Sequence, residues 1–170
     1  MDSESARMSS AAEARFRIDY PNSKPRVVKV VALDEASERV VKRVAQQGWQ
    51  RATFFTSIKF EGAPRKGESW SMQAWLSDLA GRTKALVEEV AAADLVVMVS
   101  SAGTSAQAAA VIGEACAARK VMTMALIIGS EQRSNEELSK TLAALRPYAS
   151  MLVIASGDEY IEEMLAALRA

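Results

Sequence analysis

Five short apolar runs separated by helix-forming stretches constrain this chain more than any other feature of its sequence. Residues 27–33 read Val-Val-Lys-Val-Val-Ala-Leu, and comparable runs return at residues 51–57, 94–99, 121–128 and 151–155. Runs of this length, bounded by turn residues, mark strands buried on both faces. The intervening segments have helical spacing. Val40, Val41 and Val44 share one face of residues 34–47, and Gly48 supplies the stop. Leu76, Leu79, Thr83, Val87 and Val90 recur at spacings of three and four, which predicts a long amphipathic helix over residues 71–92 with Gly81 inside it. Residues 58–70, with Gly62, Pro64 and Gly67 among charges, read as a loop. An alanine-rich helix is expected over residues 104–119, another over 135–145 ended by Pro147, and a last one over 158–170 with Ile161, Met164, Leu165 and Leu168 on one face.

Strands that alternate with helices pair in parallel, because a parallel neighbour is reached only through a crossover of a dozen or more residues. Right-handed crossovers then give an α/β fold: a three-layer, doubly wound, mainly parallel sheet of the Rossmann-like kind. At 170 residues, with 49% hydrophobic and 25% charged residues, the chain has the size of one such domain. Residues 1–24, rich in serine and ending near Pro21 and Pro25, are expected as a flexible N-terminal arm, and residues 25–170 as the single domain.

Charge and missing residue types narrow the chemistry. Lys plus Arg balances Asp plus Glu at 21 each, so no net field draws the chain to nucleic acid or to an anionic membrane. There is no histidine, which removes Ser-His-Asp triads and histidine-based zinc sites. No metal site is expected. The single cysteine, Cys116, has alanine on both sides and no histidine to activate it, so it reads as a packing residue. No apolar run approaches the ~20 residues that cross a bilayer, and the first residues lack a signal-peptide core. A cytoplasmic protein is expected.

In an open parallel sheet, ligands bind beyond the carboxyl ends of the strands, so the segments at 33–38, 57–70, 100–105 and 156–158 are the places for chemistry. The best candidate is Ser100-Ser101-Ala102-Gly103-Thr104-Ser105. Its small residues let backbone N–H groups approach a ligand, and the helix start that follows favours an anion. Ser100, Ser101, Gly103, Thr104 and Ser105 are therefore candidate ligand-binding residues, with Asp158 completing the site and Arg65 or Lys66 available if their loop folds inward. A plainer reading also stands: Thr104 or Ser105 caps the next helix and Gly103 makes the turn. After the first strand come Asp34, Glu35 and Glu38, either a magnesium site or, preferably, acids that favour a helix start. No side chain in these loops has a stated reason to act as a general base, so no catalytic residue is assigned.

The order of these features resembles the nucleotide-binding half of the tubulin/FtsZ GTPases. Val28-Lys29-Val30-Val31, then Arg43-Val44-Ala45-Gln46-Gln47-Gly48, then Thr53-Phe54-Phe55, are similar to that family's first strand, helix and second strand. Residues 93–99 resemble the strand entering its glycine-rich signature loop, Gly103-Thr104 the Gly-Thr within it, and residues 108–117 the helix after it. Leu142 to Pro147 and Met151-Leu152-Val153-Ile154 match the helix and strand that close the GTP-binding core. The departures are specific. Asp34, Glu35, Ala36 and Ser37 stand where the family has glycines, and the signature loop is cut to one Gly-Thr pair.

The resemblance thus implies a degenerate domain without the family's second domain and its water-activating residue. GTPase activity is not expected, a homo-oligomer is, and the cofactor is left unassigned. The stretch from Val99 to Ser105 is also similar to the Ser/Thr-rich loop of sugar isomerase domains, which implies a small phosphorylated or carboxylated ligand as the alternative function. Trp49, Trp70 and Trp75, with Met72, could form a partner surface, but Trp70 and Trp75 equally suit anchors of the long helix to the sheet, and that role is preferred.

Overall fold

Every residue of the first strand, β1 (Val28–Ala32), is buried, which is why it is written almost wholly in β-branched and small apolar side chains. The computed structural model describes residues 24–57, 75–78, 83–157 and 159–170. From β1 the chain runs through α1 (Glu35–Ala45), β2 (Ala52–Thr56), β3 (Trp75–Asp78), β4 (Thr83–Ala85) and α2 (Leu86–Ala91). It continues through β5 (Leu95–Ser101), α3 (Ala108–Arg119), β6 (Met122–Ile128), α4 (Asn135–Leu145), β7 (Met151–Ile154) and α5 (Glu159–Ala167). Short 3-10 turns follow β6 at Ser130–Gln132 and α4 at Arg146–Tyr148.

These strands form one seven-stranded sheet in the order β4-β3-β2-β1-β5-β6-β7. The five strands β2, β1, β5, β6 and β7 are mutually parallel, as the alternation of elements requires. The winding reverses between β1 and β5. From that boundary α1 carries the chain one way to β2, and α3 carries it the other way to β6. Right-handed crossovers in opposite directions place their helices on opposite faces. Accordingly Val40, Val41 and Val44 of α1 pack with Ile161 and Leu165 of α5 against Val28, Val30, Val97 and Leu126. On the other face Leu86 and Val90 of α2, Ile112 and Cys116 of α3 and Leu145 of α4 pack against Val31, Phe55, Met98 and Ile127. The result is an α/β, three-layer, doubly wound Rossmann-like domain with a mainly parallel sheet.

The helix expected over residues 71–92 is overturned. Within that range β3 pairs antiparallel with β4, β3 pairs antiparallel with β2, and among the described residues helix is present only at Leu86–Ala91. The apolar spacing of three and four is real, but strand composition competes with it. Trp75 and Thr83 favour strands, and Gly81 costs a helix about 1 kcal/mol relative to alanine. Pairing onto β2, which would otherwise be an open edge, then decides the outcome. The expected loop at 58–70 and the arm at 1–23 lie outside the described residues.

Capping follows local composition. Asp34 and Ser37 form a reciprocal capping box at the start of α1, with Glu35 and Glu38 in the first turn and Lys42 and Arg43 in the last. Ser134 and Glu137 do the same for α4. Glu137 accepts the Ser134 backbone N–H, and this bond holds its carboxyl below the usual range.

One helical glycine is explained only by packing. A Cβ at Gly113, in the middle of α3, would lie 2.5 Å from the Tyr148 Cβ. Glycine inside a helix normally costs stability, so Gly113→Ala should stabilise by about 1 kcal/mol on propensity alone. Here the close approach of the 3-10 turn reverses the sign, and overpacking costs about 1–3 kcal/mol. A lower urea midpoint for Gly113→Ala is expected, and an unchanged or higher midpoint would remove the packing argument.

Candidate functional site

The crevice of this fold lies where the winding reverses, at the carboxyl ends of β1 and β5. The two strands are stitched there by the Leu33 N–H donating to the Val99 carbonyl at 2.9 Å. Immediately beyond, Asp34 leaves β1 and turns into α1, while Ser100 and Ser101 finish β5. Sequence reasoning treated these as two separate loops. The structure brings them together.

The Asp34 carboxylate is the centre of the arrangement. Its Oδ1 accepts from the Ser37 backbone N–H at 2.9 Å and from Ser101 Oγ at 2.8 Å. Its Oδ2 accepts from the Ser101 backbone N–H at 2.8 Å. Ser100 Oγ and Thr104 Oγ1 stand farther off, at 3.3 and 3.4 Å. Each hydroxyl has a single proton, so not all contacts form at once. Thr104 Oγ1 has its shorter acceptor in the Ser101 carbonyl at 2.9 Å, and Ser100 Oγ lies 2.7 Å from Thr104 Oγ1. The three short bonds to Asp34 are therefore the fixed core, with Ser100 and Thr104 as a relay beside it.

A second tie comes from α4. The Gly103 N–H donates to Thr141 Oγ1 at 2.9 Å, and Thr141, wholly buried, has the Thr104 carbonyl at 3.2 Å and the Glu137 carbonyl at 3.3 Å as acceptors. Gly103 has φ +92, a conformation that favours glycine, and a Cβ there would meet the Glu137 carboxylate at 3.4 Å. The loop thus runs between two acids, Asp34 and Glu137. Neither Asp34 nor Thr141 was recognised as part of the site from sequence. The available signal was a hydroxyl-rich strand end opposite a helix-capping acid across the reversal point.

Gly103 and Ser105 are exposed, and Ser100 is buried. The plainer reading of this loop as a helix cap fails in detail. α3 begins after Gln107 with no side-chain cap, and Ala106 has φ 46, so neither Thr104 nor Ser105 caps it. Glu35 and Glu38 fit the helix-start reading, Glu38 pairing with Lys42 one turn on. Asp158, Arg65 and Lys66 lie outside the described residues. Among the described residues no group of three or more histidine, cysteine, aspartate or glutamate side chains converges.

Away from the crevice, Cys116 is fully buried, and desolvation pushes its thiol up to about 12, far from a reactive thiolate. Trp49 donates from Nε1 to the Val44 carbonyl at 2.9 Å and packs with the α1-side cluster. Trp75 lies on β3, and Trp70 and Met72 fall outside the described residues. At the opposite end of the sheet a groove of about 380 Å³ is lined by Gly113, Glu114, Thr123, Tyr148 and Ser150 among others. No helix among the described residues is long and apolar enough to cross a membrane.

No family model matches this chain, and no curated protein does. Among solved structures it is similar to the translation elongation factor SelB from Methanococcus maripaludis, solved in complex with the GTP analogue GppNHp. That likeness has 10% identity and a TM-score of 0.50, and it covers 86% of this chain and 33% of that one. The chain therefore spans about a third of that protein's length, and what the two share is the α/β fold.

Proposed function

We propose that this chain is a non-catalytic binding and oligomerisation module, an FtsZ-like nucleotide-binding layout whose phosphate crevice is filled by its own carboxylate. The observation that carries this reading is Asp34, which takes the Ser101 backbone N–H, the Ser101 hydroxyl and the first-turn N–H of α1. Those donors are the kind a phosphate uses at this position of the fold. The protein supplies the anion itself.

Magnitudes support the exclusion of a second anion. Two like charges about 4 Å apart repel by roughly 4 kcal/mol at the effective dielectric of a protein surface. A helix start returns only about 0.3–1 kcal/mol for an anion. A phosphate at the Ser101 donors would meet the Asp34 carboxylate that already takes them, so repulsion wins.

Thermal melts with Mg-GTP, GDP, glucose 6-phosphate and malonate test this directly. No shift at millimolar ligand and no GTP turnover above background are expected. Ligand at a hundredfold over its Kd would stabilise by about 2.7 kcal/mol, a rise of several degrees. Such a rise with GTP, or turnover, would overturn the proposal. Exposure of Gly103 and Ser105 favours one second reading, a site for a small phosphorylated or carboxylated metabolite. A saturable shift with glucose 6-phosphate or malonate alone selects it.

A further inference from the structure

The sheet ends at β7, whose outer side has no strand partner among the described residues. Edge strands are ordinarily blunted by lysine, by proline or by a bulge, because their free N–H and C=O groups template another strand. β7 has none of these. Its sequence is Met-Leu-Val-Ile, and no charged residue occurs between Arg146 and Asp158. Met151 is 53% exposed and Ile154 46%, one on each face of the sheet, and Met122 at the start of neighbouring β6 is exposed as well. We infer that β7 is the interface between two copies of this chain, joined strand to strand in antiparallel sense about a two-fold axis perpendicular to the sheet. This rests on the self-association part of the function proposed above.

The second copy is favoured as occupant by chemistry and by charge. Unpaired strand backbone is satisfied by another strand, and a two-fold axis sets the same strip against itself. A strip without charge meets its image without repulsion. The axis keeps like faces together, and pairing centred on Val153 sets Met151 opposite Ala155 and Leu152 opposite Ile154 of the other copy. Leu138, Leu142 and Leu145 of α4 pack with Leu152 of β7 in one cluster, and the first-turn acids of α4 are already paired within the chain, Glu136 with Lys140 and Glu137 with Arg133, so they add no repulsion between copies. The equal counts of 21 basic and 21 acidic residues leave no net repulsion between copies.

Sedimentation of the full chain over a wide concentration range, with the double variant Met151→Lys/Ile154→Lys beside it, tests the interface. Both positions are already half exposed, so the fold should persist, and an unchanged melt of diluted protein verifies it. A wild-type dimer weakened at least about a hundredfold by the double variant is expected, since each lysine then sets a charge against an apolar residue of the other copy, and the two lysines at position 154 lie diagonally across the axis. Hydrogen exchange of the wild type needs no variant, and β7 amides should slow as concentration rises. A dimer indifferent to the lysines would overturn this interface and leave self-association standing. A wild type that stays monomeric would overturn both, while the filled crevice would still be judged by the ligand melts. Protection of β7 in a monomer would mean that this chain covers its own edge, and would overturn the interface too.

Discussion

Asp34→Ala is expected to lower stability by about 2–4 kcal/mol, a large effect for a side chain only partly buried. Loss of a helix cap accounts for about 1 kcal/mol. The remainder comes from the Ser101 N–H and hydroxyl, which lose their acceptor at 2.8 Å, an unsatisfied donor costing about 1–3 kcal/mol. Asp34→Asn keeps one acceptor oxygen and the cap but turns an amide NH2 toward a donor, so roughly half the loss is expected. Urea melts at neutral pH measure both. The same variants examine the crevice itself: with the carboxylate gone, inorganic phosphate should raise the melting temperature of Asp34→Ala more than that of the wild type. A fully stable Asp34→Ala protein would show that the carboxylate does not hold β1 and β5 together.

The second large effect concerns Lys29, whose position in the middle of a buried strand is unusual for a lysine. Its ammonium pairs with Glu89 at 2.9 Å, lies 3.3 Å from Thr53 Oγ1, and stands 5.7 Å from the centre of the Phe55 ring. The Lys29 side chain is 11% exposed and that of Glu89 22%. Removing one partner of a buried pair costs about 3–5 kcal/mol, because the charge left behind is uncompensated. Glu89→Ala strands the more buried member and should cost about 2–3 kcal/mol, below that range because Thr53 and the ring remain. Lys29→Met leaves the better hydrated Glu89 and should cost less. The double variant Lys29→Met/Glu89→Leu should recover most of the loss, since apolar replacements of buried pairs are often neutral or stabilising. Equal losses in the two single variants would mean that burial of Lys29 is not the source of the effect.

Much of the architecture was legible in the residues. The runs at 27–33, 94–99 and 121–128 are apolar on both faces because helices cover both faces, and no other common arrangement asks for that pattern. Asp34 and Ser134 announce their helices through capping boxes that span only four residues. The stretch from 75 to 92 was not legible, since its apolar spacing satisfies a helix while Trp75 and Thr83 suit strands. Only the open side of β2 settles that contest. The hydroxyl-rich end of β5 was readable as a candidate site, but its partner Asp34 lies 67 positions away from Ser101. Gly113 is similar, being an unremarkable helical residue until Tyr148 closes on it.

Local preference and periodicity therefore carried the parallel strands, most helix positions, the absence of histidine chemistry and the inert surroundings of Cys116, because each depends on neighbours within a turn or two. Folding alone set which groups meet at the crevice. Ser100, Ser101 and Thr104 are equally suited to a bound phosphate or to an internal carboxylate, and the choice depends on where the reversal of winding between β1 and β5 sets Asp34. That is a matter of distance between remote segments, which brings the Asp34 carboxylate to 2.8 Å from both Ser101 donors.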